Sequence, residues 1–115
     1  MSGREKTSDC TADVTLTGDV KATWSGEATS ATSKGRGASY STSSKDSATT
    51  VSVLPKEQDF PATVTVSADG ATYTSQTGDG IKADKKGTGA TADADAVTLV
   101  DGKQKTVHVV AEFDC

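Results

Sequence analysis

Two cysteines, one histidine, one tryptophan and a run of alternating aspartates carry most of the reactive chemistry in this chain of 115 residues. Cys10 and Cys115 lie near the two ends, and a bond between them would close a loop of about 100 residues, worth roughly 4 to 5 kcal/mol by chain entropy. Such a bond persists only where the surroundings are oxidising, which points outside the cytoplasm. The alternative is two unrelated free thiols. Two distant cysteines and the lone His108 do not supply a zinc-ligand spacing, so neither a metal nor a cofactor is expected.

His108 is the only histidine. A hydrolase would need it beside a nucleophile and an acid, and no serine stands in a Gly-x-Ser-x-Gly elbow. The plainer expectation is a half-exposed strand residue beside Thr106 or a cross-strand carboxylate, with no catalytic residue in the chain. In ADADA, Asp93 and Asp95 fall on one face of an extended strand, with Asp101 near the turn beyond. Oxygen ligands grouped in this way suit Ca²⁺. The glycine and closing glutamate of an EF-hand loop are missing, however, so these residues read as solvated acids, as do Asp79 and Asp84.

Trp24 either offers a sugar-stacking platform or anchors a core, and its shared phase with Val14, Leu16 and Val20 favours the core. Phe113 is the second expected anchor. Tyr40 and Tyr73 are too dispersed to complete a sugar-binding face. Thr-x-Thr pairs at Thr15 and Thr17, Thr63 and Thr65, and Thr72 and Thr74 lack the regular repeat of a hydroxyl array, and Thr alternating with Val is ordinary strand chemistry. The chain has no asparagine, which excludes N-glycosylation.

The elements that hold these residues are short and apolar-poor. Leu, Ile, Val and Phe fall below the one-fifth share usual for globular chains. The net charge of -4 is too small for a disordered polyanion, and Val alternates with Thr as a pleated surface requires. Order is expected, in one domain over 10–115, with residues 1–9 a polar tail or tether. Every second residue from Val14 to Trp24 is apolar or small, which suggests one long strand bent at Gly18 rather than a hairpin.

Residues 25–50 show no fixed repeat; Ala38, Tyr40 and Thr42 suit a short edge strand, with a turn at Lys45 and Asp46. A strand through Val51 and Val53 ends before Pro55, and KEQDFP connects it to Val64 and Val66. Asp69 and Gly70 mark a hairpin, and Gly78 to Gly80 a second turn. Weaker strands follow around Ile81 to Asp84 and Thr88 to Asp93, with Lys85 and Lys86 in a solvated turn. After Asp101 and Gly102, Val107, Val109, Ala111 and Phe113 share one face of the last strand. Seven or eight short strands with no helical period predict an all-β fold, an antiparallel two-sheet β-sandwich of immunoglobulin-like style.

The second half resembles the mycobacterial lipoprotein antigen family, actinobacterial surface lipoproteins with a small β-rich domain. The resemblance lies in YTSQTGDG at Tyr73 to Gly80, in KGTGATADAD, and in a final alternating strand that ends Phe-x-Cys at Phe113 to Cys115. Cys10 matches an earlier family cysteine by position only, and the family joins two such cysteines. Cys10 follows Thr7, Ser8 and Asp9, so it is not a lipid attachment site, and any anchor would lie upstream.

Scattered lysines exclude a nucleic-acid footprint, and no segment has the roughly 18 apolar residues of a membrane span. The expectation is a monomeric, non-catalytic module of the cell surface, secreted or extracytoplasmic. It would meet an unknown protein or envelope ligand and touch a membrane only through its anchor. The resemblance implies an antigen displayed to a host. The alternative is a small secreted inhibitor or ligand-capturing domain.

Overall fold

The computed structural model describes residues 5–33, 37–44, 48–56, 61–68, 70–84 and 87–115. The expected turn at Lys45 and Asp46, residues 57–60 of the KEQDFP connection, Asp69, and Lys85 with Lys86 lie outside them. The described residues form no helix. Nine strands follow one another: β1 (Glu5–Gly18), β2 (Ala22–Ser33), β3 (Gly37–Ser43), β4 (Thr49–Leu54), β5 (Thr63–Ala68), β6 (Ala71–Ser75), β7 (Ile81–Ala83), β8 (Gly89–Val100) and β9 (Lys103–Asp114).

All ladders are antiparallel and belong to one sheet, ordered β6-β5-β4-β3-β2-β1-β9-β8-β7. A further pairing of β6 with β8, at Thr74 with Val97 and Ser75 with Ala96, joins the two ends of that order. β7 lies on the same edge of β8, at Ala90 to Ala92, so β6 and β7 act as one interrupted strand. The expected pair of facing sheets is therefore replaced by a single sheet rolled into a ring of eight strand positions. Closure removes exposed strand edges over most of the circumference.

The register gives the size of this ring. From Asp9 the ladder runs through Thr29, Ser41, Ser52, Thr65, Thr74, Val97 and Thr106. The Thr106 carbonyl then accepts from the backbone N–H of Asp19, just past β1 and ten residues along the chain from Asp9. Eight strand positions with that stagger require a tilt of about 40°, within the usual range for barrels whose interior is filled by side chains.

Every second residue points inward. Ala12, Val14 and Leu16 of β1, Val51 and Val53 of β4, Val64 and Val66 of β5, and Val107, Val109, Ala111 and Phe113 of β9 are buried. This is the inner face expected of the last strand. Trp24 is 7% exposed and Phe113 2% exposed, both inside the ring as expected of core anchors.

Four local expectations are corrected. Val14 to Trp24 is a hairpin, because Leu16 pairs with Ala22 and Val14 with Trp24. The connection is centred on Asp19 and has an odd number of residues, so apolar positions stay opposite apolar positions and the phase runs through the turn unbroken. Gly18 makes the reversal at φ +101°, beside the carbonyl of Thr106.

β3 is interior rather than an edge, flanked by β2 and β4. Ser30 and Thr42 are buried on the inner face, which broke the apolar pattern there. Finally, β1 starts at Glu5: Glu5 to Asp9 pair with Thr29 to Ser33, so strand structure reaches into the supposed tail. β8 also runs beyond its expected end at Asp93, to Val100.

The hairpins expected at residues 69–70 and 101–102 are present. Ala68 pairs with Ala71 across Gly70 (φ +77°), and Val100 with Lys103 across Asp101 (φ 51°) and Gly102 (φ 78°). Positive φ at both central residues of the second turn is the geometry that twisted hairpins prefer. Cys10 and Cys115 are bonded, with Cα atoms 4.2 Å apart. The bond ties β1 to the residue after β9, at the Thr11–Asp114 end of the β1–β9 ladder.

Candidate functional site

His108, Asp93 and Asp95 gather on the outer face of β8 and β9. The turn at Asp101 and Gly102 sets the register of this pair, and counting back along the ladder places Asp95 directly opposite His108. Asp93 shares the outer face of β8, two residues further along, because strand side chains alternate. The His108 ring lies between the two carboxylates: Nδ1 is 2.7 Å from Asp95 Oδ1, and Nε2 is 2.8 Å from Asp93 Oδ1.

A neutral imidazole has one N–H and one lone pair, so both contacts are hydrogen bonds only when the ring carries two protons. The hydrogen bond to Asp95 holds the His108 pKa above its ordinary value. Partial burial opposes this, and the Asp93 hydrogen bond and both carboxylate charges add to it. The site is open to solvent, with His108 44% exposed and Asp93 70% exposed.

The cluster borders a groove of about 480 Å³, whose walls include Gln76, Thr77 and Asp79 from the β6–β7 connection. Among the described residues no lysine or arginine lines it. The backbone N–H of Asp93 donates to the Gly80 carbonyl at 2.9 Å, fixing that connection against β8. The expected cross-strand carboxylate beside His108 is thus Asp95, with Asp93 as a second. Asp101 stands apart at the hairpin tip. Both ring nitrogens face carboxylates, so the arrangement leaves neither directed at a hydroxyl. Among the described residues no group of His, Cys, Asp and Glu is placed to hold a metal ion.

At the disulfide end, the buried Tyr40 ring packs on Phe113 with centroids 5.7 Å apart. Its hydroxyl donates to the Asp84 carbonyl at 2.6 Å and accepts from the Gly89 N–H at 3.1 Å, holding both ends of the β7–β8 turn. Burial pushes the phenol pKa up, while the Gly89 hydrogen bond pulls the other way. The phase of Tyr40 was legible in the sequence; its polar partners were not, because they come from a distant turn. Asp84 accepts from the Thr88 hydroxyl within that turn.

Trp24, Tyr40 and Tyr73 all point into the core, so they present no aromatic platform. The Thr-x-Thr pairs sit on β1, β5 and β6, and only the last two strands are neighbours. Comparison with known proteins finds no matching family model, no matching curated protein and no matching solved structure.

Proposed function

We propose that this is a non-catalytic extracytoplasmic domain of the cell envelope, displayed as a binding or structural module in the manner of the lipoprotein antigens it resembles. The observation that carries the reading is the Cys10–Cys115 bond. An alanine- and valine-rich interior has few large side chains, and a covalent tie between the first strand and the end of the last offsets that shortage wherever the compartment keeps it oxidised. The commitment of both His108 nitrogens to carboxylates supports a binding role over hydrolysis.

Trapping thiols in intact cells that export the protein, followed by intact mass, tests the reading. Full protection of both cysteines in the exported fraction is expected. Two alkylated thiols in that fraction would sink it.

A second reading, a small secreted inhibitor, is favoured by one feature. The β8–β9 hairpin passes the last β6 pairing at Thr74 and the last β1 pairing at Gly18, and near its tip Leu99 is 72% exposed. A tight-turned finger with an apolar tip suits insertion into an enzyme cleft. Loss of inhibition in L99D, measured against a panel of secreted hydrolases, would favour this reading over display.

A further inference from the structure

We infer that His108, Asp93 and Asp95 form a proton-operated clasp, in which loss of one imidazole proton frees the Asp93 carboxylate into the groove beside the β6–β7 connection. The geometry dictates the choice. Doubly protonated, the ring donates from Nδ1 to Asp95 and from Nε2 to Asp93. Singly protonated, it must turn a lone pair toward one carboxylate at hydrogen-bonding distance, which is repulsive.

Asp95 is the direct cross-strand partner, whereas Asp93 is reached diagonally and stands opposite Val110. The remaining proton therefore stays on Nδ1, and Asp93 is released.

Groups around the ring sharpen the effect. Asp79 on the β6–β7 connection shares the groove. On β1 the facing residue is the uncharged Thr17, with Asp19 beyond it held by the Thr106 N–H. On β9 itself, Glu112 stands opposite Asp13 of β1. Among the described residues no cation lines the groove to replace the lost proton, so His108, Asp79, Asp93 and Asp95 together pass from a charge of −2 to −3. The Asp93 N–H is bonded to Gly80, so the change reaches the residues that shape the groove wall. The clasp thus makes groove charge and side-chain arrangement depend on pH, whatever partner the domain meets.

Ring-nitrogen NMR of the folded protein between about pH 5 and pH 9 tests this directly. At the acid end both nitrogens carry protons. At the alkaline end Nδ1 keeps its proton and Nε2 loses it, and the Asp79 and Gly80 amide shifts move with the same midpoint. In D93N, His108 still titrates with its proton on Nδ1 but the two amides lose that inflection; in D95N the neutral ring carries its proton on Nε2. A wild-type neutral ring protonated on Nε2, or amides at Asp79 and Gly80 that ignore the histidine midpoint, would overturn the clasp.

Discussion

The indole N–H of Trp24 donates to the Thr42 hydroxyl at 3.2 Å, and the same hydroxyl donates to the Glu27 carbonyl at 2.9 Å. From Ala22 to Glu27 the β2 strand has no ladder pairing with β3, so this side-chain relay bridges the strands just outside the ladder's end at Ala28 and Thr42. Thr42 is 3% exposed. Replacing it with valine keeps the volume but strips the indole of its acceptor and the carbonyl of its donor, a loss of about 1 to 3 kcal/mol. Urea unfolding followed by the fluorescence of the single tryptophan measures it; an unchanged midpoint would show that the relay contributes nothing.

The disulfide gives the largest expected effect. Reducing it, or replacing both cysteines with alanine, removes a closure of 105 residues in sequence, for which chain entropy predicts about 4 to 5 kcal/mol. That approaches the whole stability of a typical small domain. The reduced protein should lose most of its cooperative transition at 37 °C while the oxidised form keeps it. Matching denaturation curves with and without reductant would contradict the expectation.

Tyr40 to Phe separates the ring from its hydroxyl. The aromatic contact with Phe113 is retained, while the Asp84 carbonyl and the Gly89 N–H lose a shared partner. A loss of about 1 to 2 kcal/mol is expected, with faster amide exchange concentrated at Asp84 and Gly89. Exchange that rises uniformly across the sheet would argue against a local tether.

Glycine positions permit a paired comparison. At Gly80, φ is +79° and an added Cβ would lie 2.1 Å from the Asp93 carbonyl oxygen, so G80A should cost at least about 2 kcal/mol. At Gly26 an added Cβ meets no atom within 4 Å, and G26A should be neutral or stabilise by up to about 1 kcal/mol. Thermal unfolding of the two variants side by side tests the contrast; equal effects would show that the β6–β7 connection is looser than its contact with β8 implies.

The period-two alternation marked the strands and their inner faces, because burying one face of a strand leaves a trace at every second residue. Ring closure left none, since it rests on two residue pairs, Thr74 with Val97 and Ser75 with Ala96, which any two β strands can make. The odd-length turn at Asp19 was hidden for a related reason: a hairpin that preserves parity reads like a continuous strand. In β2 and β3, buried Ser30 and Thr42 stand where an apolar residue would have marked the core. The outer-face site was more accessible. The Asp101–Gly102 turn fixes the β8–β9 register, and counting from it pairs Asp95 with His108. The diagonal reach to Asp93 depends on side-chain geometry that no spacing encodes.

The same cluster fixes the sign of one pH dependence. Its two carboxylates raise the folded-state pKa of His108 above 6.5, the Asp95 hydrogen bond most of all. Protonated histidine is therefore favoured by folding. The stability it contributes is fully present below pH 6.5 and is lost as pH rises through the folded value. His108 is 44% exposed, so water and salt weaken the effect. Subtracting the urea midpoint of H108Q from that of the wild type removes the background of the other acids. The difference should be largest near pH 5, shrink toward pH 9, and flatten in about 1 M salt. A difference that grows with pH would mean the ring is held neutral, and the two carboxylates would then destabilise the outer face rather than clamp it.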